Sequence, residues 1–267
     1  MHLQTTMTDS KPTQEHAILL AGYLPRAAKE LAEQLRIELR ERSQSTTIHA
    51  FPHLPSEESL SDLISTHGES SWIIIYHPET KAMESLHNAF HTVSHKVMMP
   101  YPLFSALNVS RELPGYAAAL QVIVDGIERT EDTASSLVLD IPRLFLIKTP
   151  VTAAQGLAQN AALVLGWPYA DRESIEEQGI EPLVETLQQV YKQSTYAFVI
   201  IDVQTDGDQL LSMIKQKIDV SERYQEIDEA MCFGSLPTPL ERVRLIEMAK
   251  AIVAWMYEEC QKPKWID

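Results

Sequence analysis

The segment His16–Arg40, HAILLAGYLPRAAKELAEQLRIELR, constrains the fold more than any other stretch of the chain. Ala17–Ala21 is a short apolar run without charge, suited to a strand buried on both faces. Pro25–Arg42 then shows helical spacing. Ala28, Leu31, Leu35 and Leu39 recur every three or four residues, while Lys29, Glu33, Arg36 and Arg40 turn outward. A buried strand, a tight turn through Gly22 and Pro25, and an amphipathic helix make the βα unit that opens many nucleotide-binding α/β domains.

The alternation continues. Thr46–Phe51 is rich in β-branched residues and reads as a strand. Ser56 followed by Ser59 and Leu60–Ile64 reads as a capped short helix. Trp72–Tyr76, WIIIY, is a buried strand closed by Pro78, and Thr80–His95 reads as a helix. Three strand–helix alternations in the first 95 residues favour a parallel sheet with crossover helices. Met98–Pro102 reads as an apolar hinge, and Tyr101–Arg129 as a helix interrupted at Pro114-Gly115. Leu137–Ile141 and Leu144–Ile147 are one bent strand or two short ones, split by Pro142. Val151–Leu165 is a helix stopped at Gly166, Ile180–Lys192 another, and Ala197–Val203, AFVIIDV, a last buried strand. From Asp208 onward the pattern predicts only helices: Gln209–Ile218, Ser221–Met231 and Pro239–Cys260. The expected fold is therefore α/β, a three-layer parallel or mixed sheet of about five strands. The expected organisation is a disordered lead-in over residues 1–15, the α/β domain over 16–207, and a helical C-terminal extension over 208–262 packed on it.

Composition narrows the function. A net charge of −15 argues against nucleic acid and anionic membranes as partners, since both reward a basic surface. A local basic pocket for a small anion is still compatible with it. The nine glycines are about half the roughly 7% average, and no two stand closer than ten positions apart. The GxGxxG fingerprint and the GxxxxGK[ST] loop are both excluded. No apolar run approaches the roughly 20 residues that span a bilayer. The polar N-terminus has no secretion-signal pattern. Two cysteines, Cys232 and Cys260, build no disulfide framework, so a cytoplasmic location is expected.

In an open parallel sheet, ligands lie beyond the carboxyl ends of the strands, where the strand order switches. The residues to inspect are Tyr23–Arg26, Tyr76-His77, Lys148-Thr149 and Asp202. Gly22, at the start of the first of these turns, and Arg26, His77 and Lys148 are the candidates for binding an anion or a nucleotide, helped by the dipoles of the following helices. All nine histidines precede residue 96, and His87, His91 and His95 recur every four residues. Neighbours in that series can share a face, and Glu84 stands one turn before His87. The trio is too long for one ion, no HExxH motif is present, and no metal site or other resident cofactor is expected. Glu84, His87 and His91 are the residues that come nearest to one. No GxSxG elbow exists and Cys232 has no neighbouring histidine in sequence, so no catalytic residue is assigned.

The stretch ILLAGYLPRAAKELAEQL resembles the opening of sulfotransferase-like P-loop proteins, in which a strand leads into Gly-Tyr-Pro, a basic residue, Ser-Gly-Thr-Thr and a helix. Gly22, Tyr23, Pro25 and Arg26 stand near their counterparts, with Leu24 inserted and Ala27-Ala28 at the hydroxyl and glycine positions. The family's second signature is a strand followed by Arg-x-Pro and a serine eight residues after the arginine. In IIIYHPETKAMES, Tyr76 replaces the arginine, Pro78 is kept, and Glu84 falls on the serine position, with Ser85 one late. The resemblance spans about residues 16–95. It implies the fold and, with both anion grips altered, argues against ordinary use of a phosphosulfate donor.

Two functions follow from these readings. One is a non-catalytic binding or assembly protein on a degenerate P-loop-like scaffold, with a protein partner or a second copy of itself. The other is a transferase or nucleotide-binding protein with an atypical anion site, in which Arg26, His77 and Lys148 neutralise a phosphate or sulfate group. Whether the chain is an enzyme is left open by the sequence.

Overall fold

The computed structural model describes residues 15–22, 24–42, 45–53, 55–67, 70–76, 80–93, 96–101, 114–136, 140–150, 155–202 and 204–258. The chain divides into two compact units, residues 1–101 with 243–267, and residues 102–242. Both are α/β.

The first unit runs β1 (His16–Ala21), α1 (Arg26–Glu41), β2 (Thr46–Phe51), α2 (Glu57–Thr66), β3 (Ser71–Tyr76), α3 (Thr80–Ala89) and β4 (Lys96–Pro100). Its sheet is parallel with the order β2-β1-β3-β4. The central strands β1 and β3 pair from His16 opposite Ser71 to Ala21 opposite Tyr76, and every residue of both is buried. Alternation of side chains sends Ile18, Leu20, Ile73 and Ile75 to one face. There they meet Leu31, Leu35 and Leu39 of α1 and Leu245, Ile252 and Val253 from the C-terminal part of the chain. Ala17, Leu19, Trp72 and Ile74 face the other way, against Leu60 of α2, Leu86 of α3 and Phe90 just beyond it. Continuous apolar runs are what a parallel sheet covered on both faces requires.

The second unit runs α4 (Tyr116–Ser135), β5 (Arg143–Lys148), α5 (Gln155–Leu165), β6 (Tyr169–Ala170), α6 (Arg172–Gln178), α7 (Glu181–Val190), β7 (Tyr196–Ile201), α8 (Gly207–Lys215), β8 (Ser221–Glu226) and α9 (Glu229–Gly234). Its four strands are also parallel, in the order β6-β7-β5-β8. Phe145, Ile147, Phe198 and Ile200 pack against α4, α5 and α9 on one face. Leu144, Leu146, Val199 and Ile201 pack against α7 and α8 on the other. A long last helix, α10 (Pro239–Glu258), begins in the second unit and carries the chain back into the first.

The α/β class is present, and the strands expected at Ala17–Ala21, Thr46–Phe51, Trp72–Tyr76, Leu144–Ile147 and Ala197–Val203 correspond to β1, β2, β3, β5 and β7, shared between two four-stranded sheets, not one sheet of about five strands. Of the Leu137–Ile141 stretch, residues 137–139 lie outside the described residues, and Asp140 and Ile141 are not strand. Three strands escaped the pattern. Lys96–Pro100 overlaps the Met98–Pro102 stretch that reads as a hinge, being short and ending in proline, yet it pairs with β3 along its length. Tyr169–Ala170 is only two residues long. Ser221–Glu226, SERYQE, reads as helix but forms the edge strand β8, so residues 208–262 are not helical throughout. Its polar, largely exposed side chains suit an edge, where charge discourages pairing with another chain. The helix expected to reach His95 ends at Ala89. Lys96 Nζ donates to the carbonyl of Phe90, to that of Val93 at 3.1 Å and to that of His91 at 3.4 Å, satisfying the turn that follows the helix.

Candidate functional site

Among the described residues, each unit has one switch point. In the first, β1 connects through α1 to β2 on one side, while β3 connects through α3 to β4 on the other. Connections therefore diverge beyond the carboxyl ends of β1 and β3, the position at which open α/β sheets form a crevice. Gly22 and Arg26 belong to this end of the sheet. Gly22 leaves β1 with φ of 92°, a left-handed conformation that glycine adopts at little cost, and its N–H donates to the Phe51 carbonyl at 3.1 Å. Pro25, with its preset backbone, is the N-cap of α1 and offers no capping side chain. The first turn carries no acidic residue. Arg26 is instead the first helical residue, half exposed, with its Nε 3.4 Å from Glu30 one turn on. A cation at a helix N-terminus opposes the macrodipole, and Glu30 offsets that only in part. His77 lies outside the described residues.

The second switch point lies between β5, which leads to α5, and β7, which leads to α8. Its chemistry is different. Thr149 is buried and donates both its N–H (2.9 Å) and its hydroxyl (3.2 Å) to the Ile201 carbonyl, tying the two strand ends together. Asp202 is also buried and accepts from Thr205 N at 3.0 Å and Thr205 Oγ1 at 2.7 Å. Asp206 then caps α8 through the N–H of Gln209 at 3.0 Å. Burial, followed by the negative charges of Asp202 and Asp171, pushes the Tyr169 phenol well above its ordinary range. Lys148 lies here with its Nζ 3.6 Å from Glu226. It borders a cleft of about 480 Å³ shared with Thr149, Glu226, Asp228 and Glu229. One ammonium and three carboxylates border this cleft. Lys148 thus belongs to an acidic neighbourhood of the second unit, while Gly22 and Arg26 belong to the first.

Of the histidine series, His87 is on α3 and His91 lies past its end, with its Nδ1 2.8 Å from the Asn88 carbonyl oxygen. Glu84 is exposed on α3, and His95 lies outside the described residues. Among the described residues, no group of three or more His, Cys, Asp or Glu side chains is arranged to hold a metal ion. Cys232 is buried, and burial followed by Glu229 and Asp228 pushes its thiol up to about 12, which leaves it unreactive near neutral pH. Cys260 lies outside the described residues.

Two residues that the sequence reading passed over matter to the architecture. Thr205 orders the loop after β7, and its place three residues after Asp202 is a local signal of an Asx-type turn. Glu241 is buried and accepts from the N–H groups of Gly115 (2.6 Å), Ala117 (2.9 Å) and Thr238 (2.8 Å). It caps two helices, α4 and α10, at once.

No protein-family model matches the chain, and no curated protein sequence does. Among solved structures it is similar to the crystal structure of a pyrophosphate-dependent phosphofructokinase from Nitrosospira multiformis. The TM-score is 0.65 at 11% identity, over 93% of this chain and 77% of that one. At that identity the likeness is one of fold. Among the described residues no helix is long and apolar enough to cross a membrane.

Proposed function

We propose that this chain is a non-catalytic binding protein whose first unit takes a small phosphate-bearing anion beyond the carboxyl ends of β1 and β3. The observation that carries this reading is the N-terminus of α1. It has no capping side chain and no acidic residue in its first turn, and it holds a cation, Arg26, where the helix alone would prefer an anion. An incoming phosphate would supply the missing negative charge. The likeness to a phosphofructokinase described as pyrophosphate-dependent supports a phosphate-bearing ligand. Binding without turnover is favoured by the loop itself, which lacks a Lys-Ser or Lys-Thr pair and carries Ala27-Ala28 at the positions of the sulfotransferase-like grip. In this reading the degenerate P-loop-like opening is a scaffold that has given up transfer chemistry. Its two cysteines suit a reducing, cytoplasmic setting.

Thermal-shift titrations with pyrophosphate, ATP and adenosine 3′,5′-bisphosphate test it. A bound ligand at 100 times its Kd stabilises the native state by about 2.7 kcal/mol. At least one of the three is expected to give a saturable shift that Arg26→Ala weakens. No shift with any of them at millimolar concentration would sink the proposal. Release of a transferred group during the titration would favour the transferase alternative.

An assembly role is favoured by a separate observation. At the end of α5, Leu163 and Val164 are 80% and 62% exposed, two adjacent large apolar side chains left to solvent. Sedimentation of the protein is expected to show self-association that Leu163→Lys with Val164→Lys abolishes. A monomer at every concentration would remove this reading.

A further inference from the structure

In the first unit, two histidines from separate elements meet away from the β1/β3 switch point. His49 lies on β2, opposite Leu19 of β1, and His67 is the C-cap of α2. Their Nε2 atoms are 3.0 Å apart. The ring centroids are only 4.8 Å apart with the planes at 65°, closer than a head-to-head pair would allow. The two rings therefore meet at an angle, not end to end, and their Nε2 atoms share a hydrogen bond whose donor depends on the tautomers. In a tetrahedral zinc site with Zn–N bonds of about 2.0–2.1 Å, two ligating nitrogens lie about 3.3 Å apart. The observed spacing needs to open by only a few tenths of an ångström.

The surroundings also fit ligation. Metal-bound imidazoles commonly turn their second ring nitrogen toward a carboxylate, which fixes ring orientation and tautomer. His67 Nδ1 lies 3.7 Å from Glu15 Oε1, and Ser70 Oγ donates to the other Glu15 oxygen at 3.4 Å. Buried Trp72 forms the wall behind both rings, with centroids 5.8 Å from His67 and 6.4 Å from His49. The His67 side chain is 12% exposed and the pair is part-buried, so solvent has a route to complete a coordination sphere.

We propose that His49 and His67 form a two-imidazole site for a borderline divalent metal of the zinc type, with Glu15 as the positioning residue behind His67 and water in the remaining positions. Imidazole pairs suit Zn²⁺, Ni²⁺ and Cu²⁺, whereas Mg²⁺ and Ca²⁺ want oxygen ligands. The site is independent of the anion reading and of the His87–His91 series.

Calorimetric titration of the full chain with ZnCl₂, followed in parallel by tryptophan fluorescence, tests it. The expected result is one zinc equivalent bound, none in the His49→Ala/His67→Ala double variant, and about 10-fold or greater weakening in Glu15→Gln. MgCl₂ should give no heat. The His87→Ala/His91→Ala double variant leaves the pair intact and must bind like the parent protein, which keeps the test valid if the first double variant fails to fold. Absence of zinc binding by the parent protein, survival of binding without His49 and His67, or its loss without His87 and His91 would each overturn the proposal.

Discussion

At the residue scale, the most consequential single side chain is Glu241. Its carboxylate accepts three backbone N–H groups from two helix starts that lie more than a hundred residues apart in sequence. Removing it leaves three donors without their acceptor, and hydrogen bonds to a charged group contribute about 1.5–3 kcal/mol each before water substitutes for some of them. Glu241→Ala is expected to destabilise the second unit by about 3 kcal/mol in urea unfolding, and Glu241→Gln by less, since one amide oxygen is still an acceptor. A loss below about 0.5 kcal/mol for the alanine variant would contradict the double cap. Half of this was legible in sequence. Thr238-Pro239-Leu240-Glu241 is a capping box, but nothing local announces that the same carboxylate also holds Gly115 and Ala117. The histidine pair was illegible for a similar reason, because His49 and His67 share no helical or strand spacing and meet only through the fold. Two histidines also set a pH dependence. Burial lowers the pKa of His16 and is the largest influence on His49. Both stay neutral in the folded chain at a pH where the unfolded chain takes up protons. Their contribution is therefore present above the ordinary value of 6.5 and is lost as pH falls below it. The melting temperature should drop between pH 7.5 and 5.5, and His49→Gln should flatten that slope. An unchanged slope would show that the pair does not matter to stability.

Elements follow the same logic of local pattern against tertiary context. The buried strands of both sheets were legible because a parallel strand covered on two faces has to be apolar throughout, as WIIIY and AFVII are. The edge strand β8 was not, because its side chains face solvent and its pairing with β5 is made by backbone. Gly207 shows how that edge is fitted. A Cβ at this first residue of α8 would fall 2.6 Å from Tyr224 Cε2 and 3.2 Å from Leu146 Cδ2, so the glycine lets α8 sit close to β8 and β5. Gly207→Ala is expected to cost about 1 kcal/mol by overpacking, with the Tyr224 ring displaced outward. In a Tyr224→Ala background most of that cost should vanish, and a double-mutant cycle measures it. Strictly additive effects would place the strain elsewhere. At α1 the sequence conveyed both the helix and its oddity: a proline cap, then arginine, then two alanines, with no carboxylate until Glu30.

For the whole molecule, the sequence suggested one body with an appendage, because no linker composition divides it. The fold puts the end of the chain to structural use. Leu245, Ala249, Ile252, Val253 and Met256 of α10 are buried against β1, β3 and α1. Large apolar side chains contribute about 1.5–3 kcal/mol each when fully buried, comparable in sum with the 5–15 kcal/mol stability of an ordinary domain. Truncation after Arg242 is expected to abolish hydrogen-exchange protection in β1 and β3 while β5 and β7 keep theirs. Retained protection in β1 would show that the first unit folds without the helix. Such a plan, two parallel sheets each with its own switch point, offers two distinct chemical settings, one led by a cation at an uncapped helix start and one led by carboxylates. The proposed phosphate site is the first. Its most direct test is a titration of the isotope-labelled protein with pyrophosphate, followed through the backbone amide resonances of Gly22, Arg26, Ala27 and Ala28. Saturable shifts confined to these amides, and reduced by Arg26→Ala, are the predicted result. Unmoved resonances at saturating pyrophosphate, or shifts centred on Lys148 and Thr149 instead, would contradict it.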